Sequence, residues 1–174
     1  MAKKATRAKK TAKRAKPADY PKVGTKAPSF AAPGSNGKTV KPADYKGKKN
    51  VVLFFYPKDN TSGCTKEACG FRDVYPKLTR AGLAVIGVSP DSLASHERFI
   101  TKYDLPFVLL ADEDKAICEA YGVWQTKSMY GRQYKGVART TFVIDKQGKI
   151  AHVFEKVKAA GHEEEVLAWA KDNL

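Results

Sequence analysis

Strands alternating with helices predict an α/β domain with a central mixed sheet and helices flanking it. Three observations carry that expectation. "VVLFFY" (51–56) and "LAVIGVS" (83–89) are continuous apolar, β-branched and aromatic runs, the pattern of strands covered on both faces. Each is followed by a stretch with helical start and stop signals. "RTTFVIDKQGKIAHVFEK" (139–156) reads as two strands joined around Lys146-Gln147-Gly148.

Taken in order, "TKAPSFAAPGSNGKTVKPADYKGKKN" is rich in Gly, Pro and Lys, and Ser35-Asn36-Gly37 predicts a hairpin turn between short extended pieces. After the first buried strand a helix is expected over 64–80, with Gly82 just beyond its end. The second strand leads to a helix over 92–103. "FVLLAD" (107–112) predicts a short strand, and "EDKAICEAYG" (113–122) a helix closed by Gly122. "HEEEVLAWAKDNL" (162–174) places acids first, Lys171 late and an apolar face between them, as a terminal helix does. No internal repeat is visible.

The chain has 174 residues, enough for one domain with a sizeable core. No run approaches the roughly eighteen apolar residues of a membrane span, and no apolar segment follows the basic start. The expectation is a protein that is neither secreted nor membrane-embedded. Three cysteines, an odd number, suit a reducing, cytoplasmic setting in which thiols are working groups. His96, His152 and His162 are scattered, so neither a metal nor a cofactor is expected.

Charge divides the chain near residue 17. Residues 1–16 hold six lysines and two arginines without an acid, +8 of the net +14. They contain no Leu, Ile, Val or Phe, so they are expected to form a disordered tail before a domain spanning 17–174. Three readings of the tail stay open: binding of nucleic-acid backbones, a nuclear address, or a solvated extension. The domain's own +6 is expected to lie dispersed among acids and to add little to such binding.

"FFYPKDNTSGCTKEACG" (54–70) sets Cys64 where a buried strand ends and a helix begins. Free amides and the positive end of the helix dipole favour an anion there, so a thiolate is expected. Asn60, Thr61 and Ser62 are capping-type residues, and Gly63 lets the backbone approach closely.

Pro57, Thr61 and Cys64 complete a Pro-x-x-x-Thr/Ser-x-x-Cys pattern, and with "FYPKDNTSGCTKEACGFRD", "LLADEDKAICEAYGVW" and "RTTFVIDKQGKI" the chain resembles the peroxiredoxins. It is most similar to the peroxiredoxin Q, or bacterioferritin comigratory protein, subfamily over 22–174. Ser62 stands where many of that subfamily carry proline, and the basic tail lies outside the shared pattern.

The resemblance implies a thioredoxin-like fold and a peroxidase that reduces hydrogen peroxide and organic hydroperoxides through Cys64. It assigns Arg139 as the cation over the sulfur; Glu67, at the next helical turn from Cys64, reads either as the acid that orients it or as part of a solvated helix face. Thr61 and the amides of Gly63 and Cys64 would face the peroxide, and Pro57 would wall the pocket. Ionisation alone is a weak lever. Lowering a thiol pKa from about 8.5 to roughly 6 gains thirtyfold in thiolate but loses about tenfold in nucleophilicity. Most of the acceleration must come from holding the peroxide and stabilising charge on the breaking O–O bond.

By the same resemblance Cys69 resolves the oxidised Cys64 within one chain, and a thioredoxin-type dithiol restores both. Residues five apart in an intact helix lie about 8.7 Å apart at Cα, beyond the roughly 4.4–6.8 Å of a disulfide, so the helix start must unwind. Gly70, a weak helix former, is expected to ease that opening. Cys118 reads as a core residue, Arg72 and Arg80 as surface charge. Trp124, Tyr130 and Tyr134 read as a frame for the pocket or for the reductant's docking surface. A monomer is expected, cytoplasmic and nucleoid-associated, with a nuclear protein as the alternative. The competing functional reading is a nucleic-acid-binding protein with a redox-sensing domain.

Overall fold

A computed structural model describes residues 19–174. The expected basic tail lies outside them. A short hairpin, β1 (Ala32–Pro33) and β2 (Thr39–Val40), turns at Gly37, whose φ of 76° suits glycine. A 3-10 turn over Pro42–Asp44 then leads to β3 (Asn50–Phe55). The next elements are α1 (Ser62–Arg80), β4 (Leu83–Ser89), α2 (Leu93–Tyr103), β5 (Val108–Ala111) and α3 (Ala116–Ala120). A second hairpin, β6 (Trp124–Met129) and β7 (Arg132–Val137), precedes β8 (Thr140–Ile144), β9 (Ile150–Phe154) and α4 (His162–Asn173).

Five strands form the central sheet in the order β5-β4-β3-β8-β9. β3, β4 and β5 are parallel, while β8 and β9 join antiparallel, which makes the sheet mixed as expected. The side-chain period of two divides β3 between two cores. Val52, Phe54 and Tyr56 face α1, α2 and α4. Val51, Leu53 and Phe55 face α3 and the N-terminal hairpin.

Two differences from the sequence reading have physical causes. α3 spans five residues, not ten, because Asp112 caps it late: its carboxylate accepts from the Ile117 and Cys118 amides at 3.0 and 2.8 Å. The β6–β7 hairpin has no strand signal in the sequence. Most of its side chains face solvent on both sides, so it lacks the apolar alternation that marks a half-buried strand. Tyr130 and Gly131, with φ of 50° and 74°, form its tight turn.

Candidate active site

β3 delivers the chain to the site, and the first turn of α1 presents the sulfur. The first helical hydrogen bond runs from the Thr65 amide to the Thr61 carbonyl at 2.8 Å. The Gly63 and Cys64 amides precede it, where a helix offers them no carbonyl. Cys64 is 2% exposed, its side chain in the core beneath α1.

From the start of β8, Arg139 reaches over this turn. Its Nη2 donates to Cys64 Sγ at 3.1 Å and its Nη1 to Glu67 Oε2 at 2.6 Å. The guanidinium fork thus holds the sulfur and a carboxylate at once. Gly63 makes room for it: a Cβ there would come within 3.2 Å of Nη2. Arg139 keeps 19% of its side chain exposed and Glu67 none, so the burial cost of the pair falls on the carboxylate. Burial pushes Glu67 up to about 7 against the pull of Arg139, and the Glu163 carboxylate on α4 adds to the rise. For Arg139, burial opposes the charge, and Glu67 and Cys64 outweigh it.

Thr61 sits differently from the expectation. Its hydroxyl donates back to the Lys58 carbonyl at 2.9 Å, so it is engaged with the preceding loop. Pro57 is half-buried in that loop. Cys69 lies on the intact α1, partly buried, and all three cysteines are free thiols. Cys118 is fully buried, as expected. Burial and the Asp112 carboxylate push its thiol far up, away from any reactive range.

Several side chains near the site gave no sequence signal. Lys127 on β6 is a second cation here: burial lowers its pKa, Arg139 adds to the drop and Cys64 opposes it. Gly70 accommodates α4, since a Cβ would meet Glu163 Oε2 at 2.5 Å; it is a packing site as well as a weak point. Arg72, read as plain surface charge, donates through Nη1 to the Tyr103 carbonyl at 2.7 Å and ties α1 to α2. The Pro57–Thr61 loop is bolted down by Asp59, which accepts from Tyr56 Oη at 2.6 Å and Ser95 Oγ at 2.9 Å and faces His96 Nδ1 at 2.7 Å. Ser89 and Asp91 extend that network: Asp91 accepts from Ser89 Oγ at 2.6 Å and from the Asp59 amide at 2.8 Å. Trp124 opens β6 with the Lys115 ammonium over its ring, 5.5 Å from the centroid, whereas Tyr130 is 98% exposed at the hairpin tip and Tyr134 is exposed beside it.

A thiol at a helix start, gripped by an arginine on a mixed five-stranded sheet, defines a thiol peroxidase of the peroxiredoxin class. Residues 23–153 match the AhpC/TSA family, and the chain belongs to it. It is 47% identical over 150 residues to the peroxiredoxin Bcp of Bacillus subtilis, covering 86% of this chain and 95% of the relative. With the peroxiredoxin Bcp of Escherichia coli it shares 44% over 152 residues, 87% of this chain and 97% of the other. The structure of Xanthomonas campestris peroxiredoxin Q superposes with a TM-score of 0.78 at 38% identity, covering 82% of this chain and 90% of that one. These relatives bear out the thioredoxin-like fold and the peroxidase class.

Proposed function

We propose that Cys64 is the residue oxidised by hydrogen peroxide and organic hydroperoxides, and that Cys69 resolves it. The observation that carries this reading is the Arg139 fork, 3.1 Å from Cys64 Sγ and 2.6 Å from Glu67. The Cys64 thiolate attacks the outer peroxide oxygen and the O–O bond breaks. A proton reaches the leaving oxygen, giving Cys64 sulfenic acid and water or an alcohol. Arg139 moves from sulfur toward the oxygen on which charge develops, and the Gly63 and Cys64 amides, with Thr61 after rotation, add donors. Pro57, which has no N–H, walls the pocket. Glu67 holds the guanidinium in place.

The Cys69 thiol then displaces water from the sulfenic acid, forming a Cys64–Cys69 disulfide. A dithiol reductant of thioredoxin type takes the oxidation by exchange and leaves both thiols reduced. α1 is helical from Ser62, so its first turns must open for the two sulfurs to meet. The chain works as a monomer in the cytoplasm, without metal or cofactor. The eight positive charges of residues 1–16 support association of the tail with nucleic acid and hence with a nucleoid.

Hydroperoxide consumption by Cys69→Ser tests the scheme. One equivalent of peroxide should be reduced, turnover with a thioredoxin system should stop, and mass spectrometry should find one oxygen on Cys64. Normal recycling by this variant removes the resolving role. Catalytic turnover by the intact chain separates an enzyme from a redox-sensing nucleic-acid-binding protein, which would react once and stop.

A further inference from the structure

The end of the sheet opposite Cys64 is built differently. β3 runs from Asn50 at that end to Phe55 near the site, and β8 runs back from Thr140 to Ile144 beside it. The six residues of β3 put roughly 17 Å between the two ends. At the far end a groove floored by Phe30, Pro42 and Ala27 is rimmed by Lys26, Lys41, Lys46 and Lys149.

Four more lysines flank it. Lys146 is held there by Gly47, whose amide donates to the Lys146 carbonyl at 2.7 Å. The Lys48 and Lys49 amides both donate to the Tyr45 carbonyl at 3.0 Å, and the Lys22 carbonyl accepts from Thr25 at 3.1 Å. All eight lysines are exposed, and none forms an ion pair among the described residues.

The face also holds two acids, both occupied with backbone. Asp44 accepts from the Lys41 amide at 2.9 Å, and Asp145 from the Gln147 and Lys149 amides at 2.9 Å each. The face therefore carries +6, which is the whole net charge of residues 17–174. The remaining sixteen bases of that domain are matched by sixteen acids. The expectation of a dispersed charge is thus wrong in space: segments 22–49 and 145–149 are distant in sequence and adjacent in the fold.

We infer that this lysine face is a docking surface for the phosphodiester backbone of duplex DNA, formed by the folded domain independently of residues 1–16. Eight unpaired cations crowded on one face repel one another, and a polyanion relieves that repulsion. A duplex presents about one charge per 1.7 Å of its axis, so several lysines engage at once and release counterions. The face is made of turns and loops around a shallow groove, with Val23 its exposed large apolar side chain, so it lacks the apolar helical face that enters a bilayer. DNA held there leaves Cys64 open to peroxide, because the site is at the other end of β3.

The test uses the full chain and a labelled duplex of arbitrary sequence, titrated at several salt concentrations. Lys41→Gln/Lys46→Gln/Lys149→Gln is compared with an equally charged control, Lys77→Gln/Lys158→Gln/Lys171→Gln. The face triple should flatten the slope of log K against log salt by up to about 2.7 and weaken binding at least tenfold at about 0.1 M salt. The control should change affinity less than twofold, and peroxide consumption should be unchanged in both. Equal losses in the two triples, or none in the face triple, overturn the proposal. So does tighter binding of the face to phosphatidylserine vesicles than to the duplex. Neutralising the bases of residues 1–16 in a separate variant tests the tail alone. If that variant loses all binding while the face triple loses none, the tail reading survives and this one fails.

Discussion

Cys64 and Cys118 are both core residues on helices, 2% and 0% exposed, and they differ in the charge beside them. Cys64 meets a guanidinium at 3.1 Å. Cys118 sits over the carboxylate of Asp112, which its own amide contacts at 2.8 Å. A cation lies against the first sulfur, whereas burial and then the Asp112 carboxylate raise the pKa of the second. On the proposed mechanism, reactivity follows the neighbour and not the depth.

The largest break in that contrast is Cys64→Ser. A serine hydroxyl cannot supply the thiolate, so steady-state peroxide consumption should fall below a few per cent of the native rate. Substantial residual turnover would mean that another sulfur carries the reaction. Next comes Arg139→Ala, which removes the cation beside Cys64. Loss of one preorganised donor to the developing oxyanion costs about a hundredfold to a thousandfold in rate. Arg139→Lys should recover only part, because one ammonium cannot reproduce a fork that spans Sγ and Oε2. Stopped-flow oxidation by hydrogen peroxide, with thermal unfolding as a control for misfolding, measures both.

Glu67→Gln sharpens the contrast by acting one step away from the sulfur. Its amide still accepts from Arg139 but loses the ionic part of the grip, so roughly a tenfold fall in peroxide attack is expected, a little over 1 kcal/mol. The pH dependence of stability gives a second readout. With its carboxyl at about 7 in the fold and 4.5 as the ordinary value, Glu67 binds more proton when folded than unfolded across that window. Its contribution is therefore fully present below about 4.5 and is lost as pH rises through about 7. The difference between native and Glu67→Gln stability should shift against the native chain by up to about 3 kcal/mol over that range. Burial lowers the pKa of His162, which gives the opposite slope in both chains and cancels in the difference. A flat difference would show that Glu67 stays ionised throughout.

The sequence showed the parts whose signals are local. "VVLFFY" and "LAVIGVS" became β3 and β4 because a fully covered strand is apolar at every position. Cys64, Arg139 and Glu67 were placed together by resemblance, and the fold brings them within hydrogen-bonding distance. The parts that escaped depend on contacts between distant segments. Nothing in "SPDS" or around His96 announces that Asp91 and His96 secure the Asp59 loop from 32 and 37 positions away. Lys127 looked like one of many lysines, and the +6 of the domain looked diffuse until the sheet gathered it at one end.

The smallest effect is expected at Cys118→Ala, and it tests the comparison from its quiet side. Cys118 lies in the core on the α3 face of the sheet, with Tyr121 and Phe142 in the same cluster. Removing its sulfur takes one heavy atom from a packed region, which should cost about 1–2 kcal/mol of stability through lost burial and a small cavity. The Asp112 bonds to the Ile117 and Cys118 amides survive, because they use the backbone. Turnover should stay within twofold of native, and alkylation by iodoacetamide under native conditions should be unchanged, because the reactive thiols remain. Urea unfolding should show the stability loss. A variant with native stability but impaired turnover would mean that Cys118 takes part in the redox cycle, and the charge beside each sulfur would no longer account for which one reacts.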